Sequence, residues 1–581
     1  MQPDVRIKHS VSLILLLFSA ALFGQNRQAI IPYDSSLVAE LGMVYRELGM
    51  ALPSDTAPWT EAEFLLMLDR AYNQGGRLSP AAKTILAGIR KNLEKDPVYT
   101  EFDGALAVDA SLSIALEGYL GFLGDDENRE WLRGYGEREA LLFIPVELYL
   151  LDNFYAMTSL SLSQDYFAVL DRQESGSNLP LGFNDLESMY PLHTALSAGG
   201  EHWNIRFARE TLNWGSGKTG NLLLGANGTV HDFIELTSFW NHFKFTFLLL
   251  GQDTSAWDWV DTNGNGIIDA GDGGTLYTAG NGIFIAPVYD NKNDSFNDAV
   301  SSQETVRNFL AHRLEFLPRD NLRLVFTEAV MYQDPSFQFR YLNPMMAFHN
   351  WYQTGSANYF ITLEADYLPL PGVRLYGQFL GDQIAFYFNR QSGTYSDVPA
   401  AMGYLAGLDL QKPLAEGYLF GGLEWVKLDP YNYIDRSGIN LWYQRRILSN
   451  YLGGHQALVI TPLGYEKGPD SMTFYGEFGY MVPGSWDAKI SAEFFVKGEN
   501  TITTVWTDED GAAQDVTPSG SHPIQTLILG LEGGMNGSML GFPDNISVST
   551  GVNLIHVENF LHDPREDFWD LQIWLSGKYR F

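Results

Sequence analysis

The segment Asp261-Thr-Asn263-Gly-Asn265-Gly266-Ile267-Ile-Asp269-Ala-Gly-Asp272 spaces oxygen donors at loop positions 1, 3, 5, 9 and 12, with glycine at 6. That is the spacing of a calcium loop, in which a hard cation gathers about six to eight oxygens and the glycine permits the sharp turn. Asp261, Asn263, Asn265, Asp269 and Asp272 would offer side-chain oxygens and Ile267 its carbonyl. Asp272 stands where a glutamate is usual, so one-oxygen ligation and weaker Ca²⁺ affinity are expected. The competing reading is a solvated Asp/Gly loop, and the completeness of the spacing favours the metal.

A second stretch, Arg209-Glu-Thr-Leu-Asn213-Trp214-Gly-Ser-Gly217-Lys218-Thr-Gly220-Asn221-Leu-Leu-Leu224, is dense in glycine and polar groups. Gly217-Lys218-Thr219 invites a phosphate-loop reading, which fails because Leu212 occupies the first glycine position and no strand–turn–helix context surrounds it. The closely set glycines suit a tight re-entrant link. A ligand-binding version of that link would use Trp214 as a stacking platform and Arg209, Asn213 and Lys218 as donors. A third stretch runs from Glu328-Ala-Val-Met-Tyr332 through Phe337-Gln-Phe-Arg340-Tyr341-Leu-Asn343-Pro344 to His349 and is rich in aromatic and amide groups. The 11 histidines are scattered, and no nucleophilic triad can be assembled from the sequence, so the chain reads as a non-enzyme.

The elements that carry these stretches follow from periodicity. Arg6, Lys8 and His9 precede an apolar run from Val11 to Phe23 and small residues around Ser19, Ala20, Ala21 and Gly24: a secretory signal peptide over 1–24. Between about 25 and 100 the apolar period is helical. Leu37, Leu41, Val44, Tyr45 and Leu48 share a face, Thr60-Glu-Ala-Glu63 is a capping box with Trp59 as staple to Phe64, and Ser79-Pro80 opens a third helix. A small periplasmic helical bundle is expected there.

From 101 to 581 the period is two. Leu571, Ile573, Leu575, Gly577, Tyr579 and Phe581 alternate with Gln572, Trp574, Ser576, Lys578 and Arg580, as a strand does with lipid on one face and a polar lumen on the other. Similar runs recur about 18 times, separated alternately by short turns such as 151–153 and 482–485 and by long polar links such as 252–303 and 429–470. The fold class is therefore an all-β transmembrane β-barrel of about 18 antiparallel strands, preceded by the bundle, in an outer membrane with both termini periplasmic. The least regular link, 533–545, leaves the count uncertain by two strands.

Composition narrows the function. A formal charge of −33 argues against nucleic acid as partner. The absence of cysteine excludes a lipoprotein-type anchor, disulfides and thiolate chemistry. The chain resembles the Wzi family of outer-membrane capsule-assembly proteins in the 209–224 segment, in Glu328-Ala…Arg340-Tyr-Leu-Asn343-Pro344 and in the order of its parts. The resemblance implies a lectin-like role, anchoring capsular or other surface polysaccharide; outer-membrane lipid is the other expected partner, and of the oligomeric states left open a monomer is favoured. With the resemblance, the expected ligand-binding set becomes Arg209, Asn213, Trp214, Lys218, Asn221, Glu328, Arg340, Tyr341 and Asn343. The acidic link between Gln252 and Gln303 departs from that picture, since it would repel an anionic polymer unless Ca²⁺ bridges the two. The alternatives are a porin or substrate-specific channel, for which a barrel of this size is wide enough, and an adhesin displaying calcium-ordered loops.

Overall fold

The computed structural model describes residues 27–581 except 75–77, 94–97, 102–105, 124–130, 165–175, 181, 183–184, 228–229, 253–273, 280–281, 288–305, 335, 349–355, 384–398, 400, 435–441, 451–454, 503 and 505–515; at 101, 274–287, 333–334, 356 and 442–461 it describes backbone alone. The signal segment 1–24 and the calcium-like loop 261–272 lie outside the described residues.

Three helices come first: α1 (Ser36–Leu48), α2 (Glu61–Tyr72) and α3 (Pro80–Leu93). Gly49 ends α1 at φ 69, a left-handed turn that glycine adopts without a Cβ clash, and Met50 N–H reaches back to the Tyr45 carbonyl at 2.9 Å. Thr60 Oγ1 caps α2 by accepting from Glu63 N–H at 3.2 Å. The reciprocal half of that box is missing, because the Glu63 carboxylate is drawn to Lys244 Nζ of the barrel, 2.7 Å away. Leu41, Val44, Tyr45, Phe64, Met67, Ile85, Leu86 and Ile89 form one apolar core, which Tyr418 of the barrel joins.

Burial raises the Glu40 carboxyl on α1 to about 7. A folded-state pKa above the ordinary 4.5 contributes stability that is fully present below that value and is lost as pH rises through about 7. Relative to the intrinsic base-catalysed rate, amide protection along α1 should therefore fall from pH 5 to pH 8, and Glu40→Gln should flatten that slope. An unchanged slope in the variant would exclude Glu40 as its source.

The rest of the chain forms a closed barrel of 18 antiparallel strands, the number the alternation predicts. In order these are β1 (Leu106–Ala110 continued by Ser113–Gly121), β2 (Leu142–Leu150), β3 (Phe154–Gln164), β4 (Thr194–Gly199), β5 (Trp203–Glu210) and β6 (His231–Trp240). There follow β7 (Phe243–Gln252), β8 (Val306–Arg319), β9 (Leu322–Asp334), β10 (Ser356–Leu370), β11 (Val373–Gln383) and β12 (Ala401–Leu414). The last six are β13 (Gly417–Leu428), β14 (Ser471–Val482), β15 (Trp486–Lys497), β16 (Ile524–Asn536), β17 (Ile546–Glu558) and β18 (Phe568–Arg580). β18 pairs with β1 from Arg580↔Ser113 to Gln572↔Gly121, which closes the sheet and leaves the barrel wall no free edge. The irregular link shortens because β16 runs on to Asn536 and Gly537–Leu540 makes a 3₁₀ turn, so the even count stands.

The two faces invert the usual order. Phe316, Leu324, Phe326, Leu423, Phe478, Ile490 and Leu575 are exposed on the outside, whereas Arg313, Glu315, Arg323, Thr327, Asp366 and Glu424 are buried inside. Short turns lie at one end and long links at the other. The helices sit on the short-turn end: Ala51 N–H donates to the Asp320 backbone carbonyl at 2.8 Å, and Gly372 N–H donates to the Arg46 carbonyl at 2.7 Å. At the long-link end, two links expected to be loops carry strands. Gly274–Ala279 and Gly282–Pro287 join His455–Pro462 and Trp442–Asn450 in a separate four-stranded sheet. Sequences such as Gly282-Ile-Phe-Ile and Ala457-Leu-Val-Ile carry that strand tendency inside otherwise polar links.

Candidate functional site

The lumen is occupied by protein from both ends. From the helix end, the connection between α1 and α2 rises into the barrel as Ser54-Asp55-Thr56. Arg313 Nη2 donates to Asp55 Oδ1 at 2.9 Å and Arg313 Nε to Thr56 Oγ1 at 2.8 Å, while its Nη1 and Nη2 also hold Glu364. Arg323 takes the other Asp55 oxygen. Glu315 accepts from Ser54 Oγ and Thr56 Oγ1, each at 2.9 Å, and from Asp55 N–H at 3.2 Å. Burial alone would raise the Asp55 carboxyl; the guanidiniums of Arg323 and Arg313 overcome it and hold it well below the usual carboxylate range.

From the long-link end, residues 211–227 fold inward between β5 and β6. Asn213 and Trp214 form a short antiparallel ladder with Ala57 and Thr56, so the two intruding segments meet as a miniature sheet inside the barrel. Glu424 of β13 anchors this link, accepting from Lys218 N–H (2.7 Å), Thr219 N–H (2.8 Å), Thr219 Oγ1 (2.6 Å) and Tyr376 OH (2.8 Å). Lys218 Nζ lies 2.6 Å from Glu477 and 3.0 Å from Asp409, and Arg374 bridges Asp409 to Asp366. The glycines are needed for close approach: a Cβ on Gly217 would stand 1.9 Å from the Gly220 carbonyl, and Gly215 adopts φ 123 with Gln378 Nε2 2.1 Å from where its Cβ would be. The re-entrant link expected from those glycines is present.

The sequence-derived residues are distributed over three environments. Trp214 is 1% exposed and packed with Leu222, Leu224 and Leu405, with the Arg313 guanidinium 5.6 Å from its ring centre. It is core packing at the junction, with no open ring face on which a sugar could stack. Asn213 and Asn221 are bonded to each other at 2.7 Å, and Asn221 Oδ1 also accepts from Gly217 N–H and Gln378 Nε2. Arg209 is on the outer face of β5, in line with exposed Trp203, Ile205 and Phe207, and makes a two-pronged bond to Asp232 at 2.8 and 2.7 Å.

Glu328 is likewise on the outward face of β9. The link after β9 folds down over the outside of the barrel rather than into it. Tyr341 stacks on Tyr332 with ring centres 4.6 Å apart, and Phe348 stacks on His312 at 4.3 Å. Arg340 donates to Gln338 at 3.1 Å, and Asn343 is exposed. The 209–224 and 328–343 segments are therefore not brought together: the first closes the lumen and the second caps an outer apolar patch made by Phe247, Leu310 and Val330.

A closed lumen, an infolded link after β5 and helices against the short turns make a distinctive combination. No family model and no curated protein matches the sequence. Among solved structures, Wzi of Escherichia coli aligns over 95% of this chain and 99% of its own, with a TM-score of 0.55 at 12% identity. The fold is Wzi-like. That protein is described as an outer-membrane, carbohydrate-binding β-barrel involved in group 1 capsule assembly. Pseudomonas aeruginosa OprD (10% identity, 81% of this chain and 95% of its own, TM-score 0.38) and OccK3 (10%, 81% and 96%, 0.40) share less of the geometry. The Wzi-like barrel differs from its sequence-based description in what holds the plug. The capping box marks Glu63, but neither its bond to Lys244 nor the roles of Asp55, Arg313, Glu315, Arg323, Glu364, Arg374 and Glu424 is foreseen there. Their signal was present as charges at alternate positions facing away from exposed Leu314, Phe316 and Leu324.

Proposed function

We propose that this chain is a non-conducting outer-membrane protein that binds surface polysaccharide and keeps it at the cell surface. The observation that supports this most directly is the lumen closed from both ends by ion-paired protein segments in a Wzi-like barrel. A diffusion channel has no use for buried bridges between Asp55, Arg313 and Glu364 across its bore. In this reading the helices lie in the periplasm, the outward apolar face meets membrane lipid, and the long links form the binding surface. The loop Asp261–Asp272 takes Ca²⁺ and lets an acidic surface tolerate an acidic polymer. A monomer suffices, because the barrel closes on itself.

Three measurements test the reading. Loss of the protein should move polysaccharide from the cell-bound to the shed fraction, and unchanged retention would overturn it. Purified barrel in a planar bilayer should stay silent; steady large conductance would favour the channel instead. Calorimetry on the purified protein should show Ca²⁺ binding at or below millimolar concentration, and no heat in that range would remove the metal.

A further inference from the structure

The plug does not fill the lumen evenly. It is bonded to β5 and to strands from β7 to β14, and beside β3 a cavity of about 220 Å³ remains. Its walls come from several parts of the chain, including the links before β4 and after β5. Tyr33 and Asp34 enter just ahead of α1, and Tyr135, Arg138 and Glu139 come from the link after β1. Ser161 and Ser163 belong to β3. The link after β1 is itself drawn inside: Leu132 N–H donates to Gln572 Oε1 at 2.9 Å, and Arg133 Nη2 to Glu117 at 2.8 Å.

The charges around this cavity are mostly spent. Lys578 Nζ bonds Glu139 Oε2 at 2.7 Å. His193 Nδ1 is 2.8 Å from Glu210. Arg138 donates to Gln164 Oε1 at 3.0 Å and to the Ser177 carbonyl at 3.2 Å, and its guanidinium lies 4.2 Å from the Tyr119 ring centre. Asp34 and Tyr33 differ. Among the described residues the Asp34 carboxylate takes a hydrogen bond only from its own backbone N–H and the Tyr33 hydroxyl takes none, and Asp34 is exposed at the cavity. The seryl hydroxyls of Ser161 and Ser163 face each other at 3.1 Å and can turn to a ligand.

We propose that this off-centre cavity is a binding site for one uncharged sugar residue, with Asp34 as acceptor for its hydroxyls and Tyr33 as ring face and donor. The inference rests on the carbohydrate-binding reading above and gives it a location and a ligand class. Aromatic faces with hydroxyl, amide and carboxylate groups suit a pyranose, which has apolar C–H faces and a rim of donors and acceptors. Arg138, whose partners are neutral and whose Nη2 has none among the described residues, and Asp34 both border the cavity and offset each other, so a neutral sugar meets donor and acceptor while a uronic acid gains no net attraction to repay the lost hydration of its carboxylate. The volume is below the roughly 300–1,000 Å³ of drug-sized sites, which fits a single residue rather than an oligosaccharide.

The test is calorimetry of the full-length barrel in detergent against neutral hexoses, N-acetylhexosamines, glucuronate and galacturonate. A neutral sugar should bind, with the uronates at least tenfold weaker. Asp34→Ala should weaken binding tenfold or more. Ser163→Phe, which fills the cavity, should abolish it while the heat-modifiable gel shift of the folded barrel is kept. Should a neutral sugar bind wild type and both variants alike, the cavity is not the site. Should none of the sugars bind the wild type, the inference also fails. Retention of purified capsular polymer on the same protein would then leave the broader carbohydrate reading standing, and its loss would remove both.

Discussion

Arg313→Ala is expected to release the Ser54–Thr56 segment from the barrel at a cost of about 3–5 kcal/mol, the range for removing one partner of a buried ion pair. Arg313 is fully buried and bonds Asp55, Thr56, Thr327 and Glu364 at once. Its loss strands two carboxylates away from water. Arg323 still holds Asp55, which places the effect toward the lower end of the range. Since every 1.4 kcal/mol is a factor of ten, amide exchange over residues 51–59 should speed up by about two to three powers of ten. The amides of β15 to β17, remote from the junction, should not change. Adding Asp55→Ala to Arg313→Ala should cost less than the two single changes summed, because the second removal relieves a stranded charge. Unaltered exchange at 51–59 in the Arg313 variant would mean that the apolar helix core, with Tyr418, holds the segment alone.

The second large effect concerns the inward link. Glu424→Ala is expected to convert a silent barrel into one that opens intermittently. One carboxylate satisfies four donors on Lys218, Thr219 and Tyr376, and each donor left unpaired costs about 1–3 kcal/mol. Several kcal/mol removed from one side of a closed–open balance shifts the open fraction by at least about a hundredfold. Planar-bilayer recordings should then show brief openings that are rare in the wild type. Glu424→Gln keeps one carbonyl oxygen as acceptor and should fall between the two. Silence in the Ala variant would show that the 56–57 and 213–214 ladder and Trp214 packing suffice to keep the link in place.

Both results bear on the proposed function in the same way. A protein that retains polymer needs a scaffold whose long links are held still, and a plugged lumen supplies one without a conducting path. The ion pairs across the bore are expensive to desolvate, so their value here is in specifying one arrangement of helices, link and wall.

Much of this was legible before any coordinates. Leu571 through Phe581 alternate as the structure shows them, with Trp569, Leu575 and Phe581 exposed outward and Asp570, Gln572 and Ser576 buried inward. The sequence alternates at a period of two over 321–333, 417–428, 471–482 and 486–498, within a residue or two of β9, β13, β14 and β15. Period-two alternation is a local property of neighbouring residues, which is why it survives without tertiary information. The glycines of 215–220 likewise announce a tight link, because a positive φ and a 1.9 Å clash forbid a Cβ there whatever lies around it.

The site was less legible, for a reason visible in particular residues. Arg209 and Asn213 are four positions apart, yet one faces outward against Asp232 and the other lies inside against Asn221. The strand ends at Glu210, and the chain turns inward at a point that no residue type marks. Tyr341 reads as a ligand-binding residue and instead packs on Tyr332. An aromatic residue serves either purpose, and only the direction in which the link folds distinguishes them.

The sequence by itself determined an 18-stranded barrel with helices ahead of it, its polar inside and its tightly turned link after β5, because each follows from spacing within a few residues. The tertiary structure alone decided that Asp55 from the helix connection meets Arg313 and Arg323, 258 and 268 positions away, that Glu424 holds the link, and that a cavity lined by Tyr33 and Asp34 is left beside β3. Those pairings depend on where closure of the barrel carries residues distant in sequence, and no local pattern records that.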